Sequence, residues 1–255
     1  MKTIKKIHTI DMRQMKHKGV SSNLERTVIS EPFKAVTEHG YPILYGKLPY
    51  SVEPLRRALV DIPITENPRQ GGMRQRAQVT NDVAAVKNRN FFCASSSFSR
   101  QYRDNQKVLD LYAQALAKEY RENFPEYFHR EMKLIESGKK RILPIWRIPN
   151  TPFTSGIINR DFSLGLHRDP KNRKGSLSGM VVMKKSARGG NLILPEYDIE
   201  FKMSDGTYII FNGAEIIHGV TQIKLKENGH RISQVFYTAG KMHECGTPEQ
   251  ELSRQ

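Results

Sequence analysis

From Ile142 onward the chain is written in short apolar runs separated by tight-turn dipeptides, and this is the feature that most restricts its fold. Ile157-Ile158, Leu177–Met183, Asn191–Leu194, Asp198–Lys202, Tyr208–Phe211, Gly219–Lys224 and Ile232–Thr238 each have the length and composition of a strand. Asp205-Gly206, Asn212-Gly213 and Asn228-Gly229 are hairpin-type turn signals. Many short strands at regular spacing predict an antiparallel sandwich or jelly roll. Upstream the period is different. Val108, Leu109, Tyr112, Ala115, Leu116 and Tyr120 recur at three- and four-residue steps and predict a helix from Asn105. Pro125 breaks it and opens a second helix to Ser137, with Gly138 as the C′ residue. These helices are expected to support the back of a sheet, with His129 on their surface. The fold class is thus α+β.

Shorter signals complete the pass. Thr27–Ile29 and Pro42–Tyr45 read as strands, and Ser51 as the cap of a helix starting near Glu53-Pro54. Asn67–Ala77 reads as a loop carrying Arg69, Arg74 and Arg76, suited to phosphate contact. The expected organisation is a basic arm over 1–20, one domain over 21–243 (helices about 105–138, jelly-roll core about 142–240), and a frayed polar tail over 244–255.

The formal net charge of +15 points to a polyanionic partner, most often nucleic acid. Part of it is concentrated. Lys139–Lys174 holds nine Lys/Arg against two Asp. There is no apolar run long enough to span a membrane and no secretory signal at the N-terminus. Two cysteines, Cys93 and Cys245, exclude a cysteine-built zinc cluster, and a reducing cytoplasm is the expected compartment.

Within Lys139–Lys174 lies His167-Arg168-Asp169. Alone, a His-x-Asp triplet says little. His218 follows 51 residues after His167, room for several strands, and Arg231 another 13 residues on. Two histidines and one carboxylate can occupy one face of a six-coordinate iron and leave the other face open. An arginine can grip the carboxylate of an organic co-substrate with a two-pronged hydrogen bond. On an extended strand Arg231, Ser233, Val235 and Tyr237 share a face, so Arg231 and Ser233 can hold one carboxylate together. These are the parts of an iron(II)- and 2-oxoglutarate-dependent oxygenase. His167, Asp169 and His218 are its candidate metal ligands, and Arg231 with Ser233 its co-substrate clamp.

The segments around these residues carry a narrower likeness: Thr151-Pro152-Phe153-Thr154-Ser155, Ile158-Asn159-Arg160-Asp161-Phe162, Gly189-Gly190-Asn191-Leu192-Ile193-Leu194-Pro195-Glu196-Tyr197, Phe211, His218-Gly219 and Arg231-Ile232-Ser233-Gln234-Val235-Phe236-Tyr237. Over Thr151–Tyr237 the chain resembles the TET/JBP family of iron(II)/2-oxoglutarate DNA oxygenases, in particular compact phage and bacterial members. The resemblance implies a double-stranded β-helix, iron(II) and 2-oxoglutarate as cofactors with O2 as co-substrate, and hydroxylation of the 5-methyl group of a pyrimidine in DNA. 5-Methylcytosine is favoured and thymine is a close second. It places Asn159 near the target base. Arg160, Arg168, Arg74 and Arg76 are candidate substrate contacts, and Phe153, Phe162 and Tyr197 candidate stacking partners of a base. The chain lacks the cysteine-rich zinc module of animal members. The rival readings are an RNA or protein hydroxylase, and a jelly-roll nucleic-acid-binding module without catalysis.

Overall fold

A computed structural model describes residues 2–11, 25–63, 80–87 and 92–254. Arg69, Arg74, Arg76 and nearly all of the expected loop lie outside them. In chain order the elements are β1 (Lys2–Ile4), β2 (Thr27–Ile29), β3 (Phe33–Thr37), β4 (Pro42–Lys47), α1 (Glu53–Val60), β5 (Thr80–Lys87), β6 (Cys93–Ser95), α2 (Ser97–Gln101), α3 (Arg103–Asn123), α4 (Pro125–Glu136), β7 (Ser155–Arg160), β8 (Ser178–Arg188), β9 (Leu192–Leu194), β10 (Ile199–Phe201), β11 (Thr207–Phe211), β12 (Gly219–Val220), β13 (Lys224–Tyr237) and α5 (Pro248–Leu252).

The strands form two sheets. The larger has the order β1-β3-β4-β11-β8-β13-β7-β5-β6, and the smaller β12-β9-β10-β2. Strand alternation divides the core in two. Val181 and Met183 of β8, with Ile232 and Phe236 of β13, pack outward against Leu109, Tyr112, Leu116 and Tyr120 of α3. Met180 and Val182 point inward with Ile209 and Phe211, against Leu192, Leu194, Ile199 and Phe201 of the smaller sheet. The chain is therefore a two-sheet jelly roll with helical support, as its α+β pattern predicts. Gly138 follows α4 at φ +77, the left-handed geometry expected of a C′ glycine, and His129 is exposed.

Four readings are corrected. Asn228-Gly229 does not turn a hairpin. It lies inside β13, which runs unbroken past a register shift between Leu225 and His230. Asn228 takes the left-handed conformation of a bulge (φ +55), and a side chain at Gly229 would strike the Ser186 carbonyl. The N-cap of α1 is Val52, not Ser51, whose Oγ accepts the Glu53 N–H at 3.1 Å. Residues 2–8 dock rather than trail. β1 pairs in parallel with β3, Lys6 Nζ lies 2.7 Å from Glu196, and His8 lies 2.8 Å from Asp198.

The fourth correction concerns the tail and the cysteines. Cys93 and Cys245 form a disulfide across a sequence separation of 152, where reduced thiols are expected. Beyond it α5 has a capping box, Thr247 with Gln250, and buried Glu251 accepts the amides of Cys93 and Gly246, each at 2.6 Å. Burial opposes ionisation of Glu251, but these amides and Arg254 hold its pKa below the usual range. A link closing so long a loop restricts the unfolded chain strongly. C93A/C245A is expected to lose about 2–4 kcal/mol of unfolding free energy, read as a lower urea midpoint under non-reducing conditions.

Candidate metal and co-substrate site

The site is built at the end of the space between the sheets. His167 and His218 face each other in a two-residue antiparallel bridge, exchanging backbone hydrogen bonds of 2.9 and 3.0 Å. Residues so paired project to the same side, and the two rings lie 4.2 Å apart. Asp169 is held by its own amide, which donates to the Gly213 carbonyl at 2.9 Å. Its Oδ1 lies 3.4 Å from His167 Nε2 and its Oδ2 3.7 Å from His218 Nε2. All three ligand atoms fall within 4.8 Å of one another.

The proton arrangement follows from the second nitrogen of each ring. His167 Nδ1 is 2.9 Å from the Gly165 carbonyl and His218 Nδ1 is 3.0 Å from that of Ile216. A carbonyl only accepts, so each Nδ1 carries the hydrogen and each Nε2 turns a lone pair toward Asp169. Burial, reinforced by neighbouring His167 and opposed by Asp169, pushes the His218 pKa down to about 4, which leaves the ring neutral at pH 7. Two lone pairs and a carboxylate then converge with no proton between them. This is a donor set for a cation, and its composition suits non-haem iron(II).

Gly213 is part of this arrangement. A Cβ there would lie 2.6 Å from Asp169 Oδ2. Gly213→Ala is expected to push the carboxylate aside and weaken iron binding by about 10–100-fold, measured by iron titration of the metal-free protein.

Arg231 lies on the inner face of β13, 1 % exposed. Its Nε donates to the Gly190 carbonyl at 3.0 Å and its Nη1 to Ser233 Oγ at 3.1 Å. Its Nη2 is buried and, among the described residues, has no hydrogen-bond partner. Burial lowers the Arg231 pKa to about 10, partly offset by Asp161, so it remains charged at pH 7. A buried cation with an unused donor calls for an anion, and the carboxylate of 2-oxoglutarate fits that need. Asp161 fixes the backbone behind it. Its Oδ1 accepts the Arg231 amide at 2.6 Å, and its own amide donates to the Arg231 carbonyl at 2.8 Å.

Two contributors have no role in the sequence reading. A Cβ at Gly190 would lie 2.6 Å from Arg231 Cδ and Nε, so only glycine leaves the guanidinium its place. Lys184, opposite Arg231 in register, donates to the carbonyls of Gly189 (2.6 Å) and Met203 (3.2 Å). Burial, then repulsion from Arg231 and Lys202, lowers its pKa. The Gly-Gly dipeptide was the available signal for the first. Alternation from Val182 was the signal for the second.

The other candidates separate. Asn159 pairs with Ser233 across β7 and β13, so it shares the inner face and stays half-buried. Arg160, one residue on, turns to the opposite face and donates to the Leu59 and Ile62 carbonyls at the end of α1. That is a helix C-terminal contact, and it does not point at the site. Arg168 lies at the rim, donating to the Glu215 carbonyl at 2.9 Å with Nη2 3.8 Å from Glu196. Glu196 also accepts the Ile217 amide at 3.4 Å, so this buried carboxylate ties the segments of both histidines together. Phe153 and Tyr197 are core residues, whereas Phe162 remains half-exposed.

Residues 86–239 match the model of the Tet_JBP family, the oxygenase domain of the 2OGFeDO superfamily, which is more than half of the chain. The chain belongs to this family. Its membership makes it an oxygenase and implies iron(II) and 2-oxoglutarate. A Tet_JBP relative, the bifunctional helicase and thymine dioxygenase JBP2 of Trypanosoma brucei brucei, is 28 % identical over 137 residues. The match takes in 52 % of this chain and 12 % of that much longer protein. The solved structure of NgTET1 in complex with 5mC DNA superposes with a TM-score of 0.60 at 14 % identity, covering 91 % of this chain and 90 % of that one. That likeness shows the shared fold. Among the described residues no helix is long and apolar enough to cross a membrane.

Proposed function

We propose that this Tet_JBP protein is an iron(II)- and 2-oxoglutarate-dependent dioxygenase that hydroxylates the 5-methyl group of a pyrimidine in DNA. The observation that carries the reaction type is the pairing of a three-donor metal set with a buried arginine whose Nη2 has no partner. His167, Asp169 and His218 would hold the iron, and Arg231 with Ser233 the distal carboxylate of the keto acid. Bound together, iron and 2-oxoglutarate supply an oxidant from O2, with release of succinate and carbon dioxide, strong enough to attack a methyl C–H bond. The protein positions the reactants and excludes water. Its buried histidine and arginine do not exchange protons with substrate.

The substrate class rests on the family, the named relatives and the charge of +15. A 5-methyl group in a duplex faces the major groove and cannot reach a metal between two sheets, so the base would leave the stack. Asn159, on the inner face beside Ser233, would meet it through polar contact, and half-exposed Phe162 is the candidate for stacking on it. The two candidate bases differ at C4. The relative that matches by sequence is a thymine dioxygenase, so we place thymine ahead of 5-methylcytosine, reversing the order expected from the sequence alone.

The test is nucleoside mass analysis of DNA incubated with protein, iron(II) and ascorbate, with and without 2-oxoglutarate. Hydroxymethyluracil or hydroxymethylcytosine formed only with the keto acid supports the proposal. Succinate release stimulated by RNA or by a protein, with neither base modified, would overturn the DNA reading.

A further inference from the structure

Beyond the site, β8 and β13 continue together as a two-stranded ribbon made by Lys184–Arg188 and Lys224–His230. Its exposed residues include Lys185, Arg188, Lys224 and Lys226, against one acid, Glu227. Register sets Lys224 directly opposite Arg188. Like charges facing each other across a strand pair destabilise it. Among the described residues none of the four cations has an acidic side chain within ion-pair distance. The ribbon is also shaped with care. Asn228 and Ser186 adopt left-handed conformations, and side chains at Gly189 and Gly229 would strike the backbone of Gln222 and Ser186. A device that packs strands closely and leaves unneutralised cations on the outside has no evident use in the isolated fold.

The geometry points to this ribbon as a rail for the phosphates of the DNA strand flanking the target base. The inference rests on the DNA reading above and names the surface that serves it. The ribbon runs directly into Arg231. Leu225 precedes it by six residues, roughly 20 Å along an extended strand, or about six nucleotides of one DNA strand. Lys202 adds to the positive field at the same end, as its repulsion of Lys184 shows. Contacts of this kind fix register on the duplex and carry no base specificity.

The test is the salt dependence of duplex DNA binding by the full chain and by R188Q/K224Q/K226Q, with K107Q/K118Q/K133Q on the exposed faces of the helices as a charge-matched control. Each lost phosphate contact lowers the slope of log K against log salt by about 0.9. The ribbon variant is expected to lose about 2 to 3 from that slope with a Tm at or above that of the wild type, and the control less than about 1. Wild-type binding with a slope unaltered in the ribbon variant overturns the rail and leaves the DNA reading standing. Failure of the wild type to bind DNA overturns both. A slope change seen with duplex RNA or anionic vesicles but not with DNA also overturns the proposal.

Discussion

Asp169→Asn is expected to abolish iron-dependent turnover while leaving the metal-free protein at least as stable as the wild type. The carboxylate sits 3.4 and 3.7 Å from two ring nitrogens that present lone pairs, with Asn172 Nδ2 at 3.3 Å as a weak donor. Without a cation this is three acceptors in mutual repulsion. An asparagine of the same shape removes the negative charge and can donate its amide to one Nε2, a neutral hydrogen bond of about 1 kcal/mol. Iron reverses the order. A ligand at 100 times its Kd stabilises the wild type by about 2.7 kcal/mol, and the amide variant forgoes most of this. Loss of a mere supporting group around a metal costs about 10–100-fold in affinity or activity, so loss of a charged ligand exceeds 100-fold. The measurement is a pair of thermal melts, with and without iron(II) under anaerobic conditions, beside a succinate assay. A variant that keeps the iron-dependent Tm rise would remove Asp169 from the metal set.

Much of this site was legible because strand alternation and spacing act at short range. Arg231 and Ser233 share a face because they are two residues apart on a strand, and the structure joins them at 3.1 Å. The same rule, applied strictly, would have removed Arg160. Asn159 faces inward, so its neighbour in an extended strand faces the helices, where the guanidinium meets the end of α1. The misreadings have a common cause in long-range contacts. Asn228-Gly229 supplies left-handed geometry that suits a hairpin or a bulge equally. The partner strand decides, and β8 runs on to Arg188, so the ladder continues. Cys93 and Cys245 are 152 residues apart with no spacing signal between them. The docking of Lys2–Ile4 on β3 and of Glu251 on the amide of Cys93 likewise joins segments that local pattern cannot relate.

Arg231→Met is expected to separate co-substrate binding from metal binding. The guanidinium donates to Gly190 and Ser233, and its buried Nη2 has no hydrogen-bond partner among the described residues. Truncating one partner of a buried, hydrogen-bonded charge pair costs about 2–5 kcal/mol. At one decade per 1.4 kcal/mol, the KM for 2-oxoglutarate should rise between about 30-fold and several thousand-fold. Iron affinity should hold, because the three metal donors come from the His167–Asp169 segment and from His218, none of which bonds to the guanidinium. Stability gives the second readout. Without the keto acid, burial holds a cation whose pKa has been driven down to about 10, an expression of its unmet solvation. Exchanging a buried charge for an apolar side chain of similar length is often neutral or stabilising by about 1–4 kcal/mol. The carbonyl of Gly190 and the hydroxyl of Ser233, buried and left without the guanidinium, each return about 1 kcal/mol of that. The metal-free Met variant should therefore unfold at or above the wild-type urea midpoint. Arg231→Lys keeps the charge but not the planar fork, so it should recover only part of the KM. If Arg231→Met loses stability by more than about 3 kcal/mol with an unchanged KM, the arginine is a structural strut and the co-substrate is held elsewhere.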